Sequence, residues 1–527
     1  QSKCLGSESC QRCHAGQCHQ FVGYYRQPST ILRCCRLNVS AVCQAAPSPT
    51  APLRQAVRLF TERHAASAPR SAALYNRMIY QPTFESLRRH AVPDWFHDAK
   101  LGIFVHWGAY SVPGWAPRTE GSQLFEQAAA KGWEYTFAHN PYAEWYLNTL
   151  SIDGSPTRDY HRATFGEDFS YDGFAPMFNA AMRGWNAEAW ASLFAAAGAR
   201  YVVPGTKHHD GFLMWPSKHP NPFKQGWHAE RDLIGELAAA VRAHGMRYGL
   251  YYSGGIDWTF GGLPIRSLPQ LFGAIPQRED YARYVDAHWR ELIDRYEPAI
   301  LWNDIGYPSA AGSERLFADY YNRTPDGLVN NRFDVAGTIK GTAHCDYITP
   351  EYSTLNEISE RKWEACRGIG HSFGYNRNET DADYLTGEAI VRLLADIVSK
   401  NGNLLLNVGP TSAGEIPWAQ ATRLLELGAW LRTNGDAIYG TRPWRVAAAT
   451  TSDGIDIRFT QKHDALYAIV LGTPAAPSIT IPNIELSVNA TVELLGYDTP
   501  LAWRGGGAAV VVDLPAPPAP SPAFSLR

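Results

Sequence analysis

From about Gln81 the chain alternates between helically spaced apolar residues and short apolar runs. Asn186 precedes Trp190, Leu193, Phe194 and Ala197, which share one helical face, and Gly198 stops that helix before a run at Arg200–Pro204. The unit recurs. Asp232 opens a helix with Leu233, Leu237 and Val241 that closes near Gly245 and feeds Tyr248–Tyr252. A helix around Tyr281, Tyr284, Val285, His288 and Leu292 feeds Ala299–Asn303, and one with Ile390, Leu393, Leu394 and Ile397 ends at Asn401-Gly402 before Leu404–Val408. Repeated helix-then-strand units predict a parallel sheet closed by helices, most simply a (β/α) TIM-like barrel with insertions over residues 81–440.

After Gly440 the period becomes two. Ile455, Ile457 and Phe459 alternate with polar residues, a turn follows at Lys462–Asp464, and Leu466, Ala468, Val470, Ile479, Ile481, Val492, Leu494 and Val510–Val512 continue the pattern. This predicts an antiparallel β-sandwich over residues 441–527, closed by a Pro-rich tail.

Residues 1–80 stand apart from this pattern, and residues 1–43 have neither period. The segment as a whole divides into a Cys- and Arg-rich stretch, a Pro-rich linker at Ala45–Pro52, and a basic amphipathic helix candidate carrying Leu53, Val57 and Phe60. Charge sharpens this boundary. The net charge of −3 over 527 residues conceals ten Lys/Arg against only Glu8 and Glu62 before Gln81, so a basic extension precedes an acidic body. Seven of the nine cysteines also lie between Cys4 and Cys43, which leaves Cys345 and Cys366 in the body and excludes a disulfide scaffold there. Cys10, Cys13, Cys18 and His19 outline part of a zinc pattern without a clean second pair, and the reading favoured for the extension is one with no part in the chemistry. An acidic body without basic clusters argues against nucleic acid as a partner, and no apolar run approaches the roughly 18 residues of a membrane span. The first residue, Gln1, suggests a processed or truncated form. No signal peptide is recognisable, and the sequons at Asn38, Asn322, Asn378 and Asn489 leave the compartment open.

Barrels of this type gather their chemistry at the C-terminal ends of the strands. Here those ends read His106-Trp107-Gly108, Lys207-His208-His209-Asp210, Ser253-Gly254-Gly255, Trp302-Asn303-Asp304, Asn331-Arg332 and Pro350-Glu351-Tyr352. Two carboxylates, three histidines, an arginine and many aromatics, in a chain with 17 Trp, suit a sugar, which needs planar hydrogen-bonding groups for its hydroxyls and rings for its apolar face. Duller readings compete. Asp304 could cap the following helix, Glu351 sits among Asp346, Glu357, Glu360 and Glu364, and His208-His209 could pack in a core. Metal ligation by that pair is disfavoured, because adjacent strand residues point to opposite faces and no further ligand stands at metal spacing.

Together these segments resemble the retaining alpha-L-fucosidases of glycoside hydrolase family 29. The likeness is carried by Trp95 to Gly108, Asn140 to Tyr146, Lys207 to Gly211, Leu301 to Asp304, Lys362-Trp363-Glu364, Ser372 to Glu379 and Gly402 to Pro410. The resemblance implies a catalytic (β/α) barrel followed by a β-sandwich, and an exo-acting enzyme that releases terminal alpha-L-fucose through a covalent glycosyl-enzyme. It implies Asp304 as nucleophile and Glu351 as general acid/base, with Glu364 held in reserve because the stretch between Arg332 and Glu351 is long. The implied fucose-binding residues are His106, Glu144, Trp145, His208, His209, Tyr251, Trp302 and Arg332, with Phe104, Ile305 and Phe373 around the C6 methyl. No cofactor or metal is implied, and the expected partner is a fucosylated oligosaccharide or glycoconjugate. A homo-oligomer, common in that family, stays open. The competing readings are a non-catalytic carbohydrate-binding protein and a retaining galactosidase.

Overall fold

The computed structural model describes residues 79–118, 124–505, 508–515 and 521–527. The Cys-rich segment and the helix expected over residues 53–80, apart from its last two residues, lie outside them. In the body, β1 (Leu101–Val105), β2 (Tyr201–Lys207), β3 (Arg247–Ser253), β4 (Ile300–Asp304), β5 (Leu328–Val329), β6 (Trp363–Gly368) and β7 (Gly402–Val408) form one parallel sheet in the order β5-β4-β3-β2-β1-β7-β6. The two edges meet through the segment 347–351, which bridges Asn330 to Tyr347 on one side and Ile348 to Trp363 and Glu351 to Cys366 on the other, all parallel. The sheet therefore closes on itself with an eighth, bridge-only strand, as the repeated helix-then-strand units require.

Local sequence signals account for the surrounding helices. Asn186 caps the helix Ala187–Ala196 by accepting from the Glu188 N–H, and Asp232 caps Leu233–Ala243 by accepting from that of Gly235. The two-residue period of each strand sorts its side chains. Leu101, Ile103 and Val105, like Leu250, Tyr252 and Leu301, join the core under the helices, whereas Phe104, Tyr201, Val203, Tyr251, Ile300, Trp302, Cys366 and Leu405 fill the barrel interior.

Beyond Gly440 two antiparallel sheets share an apolar core that includes Ile457, Phe459, Val470, Ile481 and Val510. One comprises β8 (Arg442–Thr450), β9 (Asp456–Lys462), β10 (Ala465–Val470) and β14 (Phe524–Leu526), and the other β11 (Ser478–Pro482), β12 (Trp503–Gly505) and β13 (Ala509–Asp513). The Val492 and Leu494 pair, expected as a strand, makes only isolated bridges to Leu501 and Leu526. The first of these sheets is tied to the barrel's helices by the Arg458–Asp396 and Lys462–Asp436 ion pairs and by the Trp430 indole donating to the carbonyl of Ala523, next to β14. Among the described residues no helix is long and apolar enough to cross a membrane.

Candidate active site

A cavity of about 720 Å³ opens at the C-terminal ends of the barrel strands. Its floor is set by the strand period: Trp302 and Asp304 on β4, Tyr251 on β3, Phe104 on β1 followed by His106, and Cys366 on β6 all face inward.

Asp304, the last residue of β4, accepts from the Tyr251 hydroxyl at 3.0 Å, from the Ile305 N–H at 3.0 Å and from Arg332 Nη1 at 3.0 Å. Ile305 holds the left-handed backbone (φ 54) that a β-branched side chain disfavours. Two contacts hold it there: the Gly255 N–H donates to the Asp304 carbonyl, and the Asn303 amide donates to the Gly306 carbonyl. A Cβ on Gly255 would lie 1.9 Å from the Ile305 oxygen, so only glycine fits at that approach. Tyr352, which follows Glu351, also has a left-handed backbone (φ 48). Both rim carboxylates thus stand where the chain turns sharply away.

Glu351 accepts from the Tyr142 hydroxyl at 3.0 Å and from Arg332 Nη1 and Nη2, each at 3.0 Å. Arg332 is itself aimed by Thr349, whose hydroxyl accepts from Nε and whose carbonyl accepts from Nη2, and its guanidinium lies over the Trp302 ring. One nitrogen, Nη1, therefore touches both carboxylates, and Asp304 Oδ1 and Glu351 Oε2 can be no further apart than twice its 3.0 Å contact.

Burial keeps the site histidines neutral, and the tautomers of His106 and His209 follow from their partners. Burial lowers His106 to about 4 and His209 to about 3. The Asn407 amide donates to the Phe373 carbonyl, so its oxygen must accept from His106 Nδ1–H. The Ser253 hydroxyl donates to the Ile256 carbonyl, so its oxygen must accept from His209 Nδ1–H. Each ring thus keeps Nε2 as an acceptor. Glu144 behaves oppositely. Burial raises it to about 8, and its Oε2 accepts the Gly374 N–H at 2.7 Å, so at neutral pH the carboxyl is protonated with Oε1 left to donate.

The sequence matches the family described as Alpha-L-fucosidase over residues 67–436, and the Alpha-L-fucosidase C-terminal domain over residues 451–526. The chain belongs to the alpha-L-fucosidase family. Its activity is that of an alpha-L-fucosidase, a glycoside hydrolase. An alpha-L-fucosidase of Branchiostoma floridae is 36% identical over 83% of this chain and 92% of its own length, and the human tissue alpha-L-fucosidase is 33% identical over 80% and 85%. Among solved structures, the Thermotoga maritima alpha-fucosidase in complex with a mechanism-based inhibitor is 44% identical with a TM-score of 0.76, covering 85% of this chain and 99% of that one. The same enzyme in complex with fucose gives a TM-score of 0.75 with the same identity and coverage.

Within this fucosidase cavity the structure brings together Phe104, His106, Glu144, Trp145, His208, His209, Tyr251, Trp302, Asp304, Ile305, Arg332, Glu351 and Phe373, which is every residue singled out from the sequence except the reserve, Glu364. Glu364 lies two residues before Cys366 on β6, roughly 6–7 Å deeper in the barrel. It is fully buried, accepts from the Tyr201 hydroxyl at 2.6 Å and the Trp302 indole at 2.9 Å, and does not line the cavity. His208 and His209 do not alternate faces, because β2 ends at Lys207; both lie in the turn beyond it, their ring centroids 4.0 Å apart, and both line the cavity. Tyr142 escaped the sequence reading although it stands in a quoted motif, since nothing there separates it from a core aromatic. Cys366 and Thr349 carried no signal.

Proposed function

We propose that this alpha-L-fucosidase is an exo-acting, retaining enzyme in which Asp304 is the nucleophile and Glu351 the general acid/base. The observation that carries the reading is the shared Arg332 Nη1 contact. Retaining glycosidases hold their two carboxyl groups about 5–5.5 Å apart and inverting ones roughly 6.5–9.5 Å, and the bound set by Arg332 favours the closer spacing. On this reading Asp304 attacks C1 while Glu351 gives a proton to the leaving oxygen. A covalent fucosyl-Asp304 forms, and Glu351 then removes a proton from the water that releases fucose.

The rest of the floor supports fucose as the sugar held. His106 and His209 present Nε2 acceptors to sugar hydroxyls, and the neutral Glu144 presents a donor. Phe104, Ile305 and Phe373 form an apolar wall for the C6 methyl, where the C6 hydroxyl of galactose would lose its water without gaining a partner, a cost of about 1–3 kcal/mol. The complex of the Thermotoga enzyme with fucose supports the same ligand class here. The stereochemical course tests the mechanism. Proton NMR during hydrolysis of an aryl alpha-L-fucoside should show α-fucose forming first and the β anomer appearing later by mutarotation; β-fucose as the first product would overturn the retaining assignment.

A further inference from the structure

After β6 the chain runs through residues 369–374 with neither helix nor strand, yet this stretch supports three sides of the site. Phe373 lines the cavity, and its carbonyl accepts at 2.6 Å from the Asn407 amide that orients His106. The Gly374 N–H donates to Glu144 at 2.7 Å. The Gly370 and His371 carbonyls accept from the hydroxyl of Tyr352, the neighbour of Glu351, at 3.2 and 3.0 Å. An irregular loop with these contacts needs firm anchoring, because a misplacement of about 1 Å costs on the order of 10²-fold in rate. Glu379 supplies an anchor. It does not line the cavity, and its Oε1 accepts the N–H groups of both His371, at 2.6 Å, and Ser372, at 2.9 Å, the two residues just before Phe373. A Cβ on Gly370 would lie 2.5 Å from Glu379 Oε2, so glycine there lets the carboxyl lie against the loop backbone. Asn407, Glu144 and Tyr352 belong to the site they bond, whereas Glu379 brings a fixed point from outside it.

We propose that Glu379 is a positioning residue that sets the choice of fucose over its 6-hydroxy analogue, L-galactose, by holding Phe373 against the sugar's C6. The proposal rests on the floor being the fucose site, with Phe373 in its methyl wall. A wall held tightly strips a C6 hydroxyl of water without replacing it, and a loosened wall lets that water stay. Losing Glu379 therefore harms the methyl sugar and relieves the hydroxyl sugar, which a general loss of structure does not do. The acceptor atom, and not the charge, is what the loop uses. Burial raises the Glu379 carboxyl to about 7, so near neutral pH its protonated and ionised forms coexist, and glutamine copies the first while keeping Oε1.

The test measures kcat/KM for a matched pair of substrates, an aryl alpha-L-fucoside and the same aryl alpha-L-galactoside. In Glu379→Ala both N–H groups lose their acceptor, and the fucoside-to-galactoside ratio should fall about tenfold. Glu379→Gln should keep the ratio within about twofold of wild type, because its Oε1 still accepts both N–H groups. Glu379→Asp keeps the charge but falls one methylene short of the loop; its ratio should also drop, and it decides the matter where the alanine variant does not fold. An unchanged ratio in the deciding variant, an equal loss on both sugars, or a glutamine variant as impaired as alanine would each overturn the proposal. Phe373→Ala tests the underlying reading separately. If that variant keeps the wild-type ratio, Phe373 is not the methyl wall, and it is the reading of the floor that fails.

Discussion

On the proposed mechanism Glu351 and not Glu364 is the acid/base, and the surroundings of the two side chains differ accordingly. Glu351 faces the cavity beside Asp304 and is 24% exposed at its side chain, whereas Glu364 is sealed beneath the Trp302 indole. Glu351→Gly should therefore slow a fucoside with a poor leaving group by about 10²–10⁴, spare an activated aryl fucoside, and respond to azide; Glu364→Gly should show no azide rescue. Glu364 has a separate signature. Burial raises it to about 7, so between about 4.5 and 7 the folded state holds a proton that the unfolded state has released, and stability falls as pH rises through that window. Glu364→Gln removes this dependence. Denaturant titrations should show the wild type losing on the order of 3 kcal/mol relative to Glu364→Gln from pH 4 to pH 8, and a constant difference would refute the buried-carboxyl reading. Much of the site was legible because strand ends carry chemistry in a barrel, so His106, Asp304 and Arg332 could be located by counting from apolar runs. The preference for Glu351 over Glu364 came from the resemblance more than from local pattern, since both follow an apolar or aromatic residue and depth in the barrel separates them.

At the level of elements, the barrel's weakest join is its eighth strand, and one residue secures it. Asp346 accepts from the Val329 N–H on β5 at 2.7 Å, from the Tyr321 hydroxyl at 2.8 Å and from His90 Nδ1 at 2.8 Å. The other nitrogen of His90 meets the Pro325 carbonyl at 3.1 Å, so both ring nitrogens face acceptors and the ring is protonated. Burial opposes that charge, but the Asp346 carboxylate outweighs it and raises His90 above its ordinary 6.5. Asp346→Ala should cost about 3–5 kcal/mol and lower kcat through Glu351, at the far end of the strand that Asp346 precedes. A raised histidine contributes stability fully below pH 6.5 and loses it as pH climbs through the folded value, so the stability gap between wild type and His90→Gln should narrow on raising pH from 6 to 9; a gap that widens would contradict the charged pair. The sequence reading took Tyr347–Thr349 as a strand ending in Pro350-Glu351-Tyr352 but did not recognise β6, where inward Glu364 and half-buried Arg367 interrupt the apolar run. It also passed over β8, whose Ala447-Ala448-Ala449 stretch has little strand signal. In both cases the pairing partner, β7 or β9, supplies the stability that local sequence lacks.

Across the whole molecule, the charge boundary before Gln81 comes close to a structural one. Tyr80 already belongs to the body: its N–H donates to the Asn322 side chain, its carbonyl accepts from it, and its ring packs on His90 and Tyr321. With the family match beginning at residue 67, we propose that the barrel and the following sheets form the complete enzyme. Removing residues 1–66 should leave kcat/KM within twofold of the full chain, and a folded truncation without activity would contradict this. The central claim remains the covalent step at the barrel's mouth. Intact-protein and peptide mass spectrometry after treatment with 2-deoxy-2-fluoro-fucosyl fluoride tests it most directly: one fluorofucosyl unit should appear, attached to Asp304, and a label on any other residue would contradict the account.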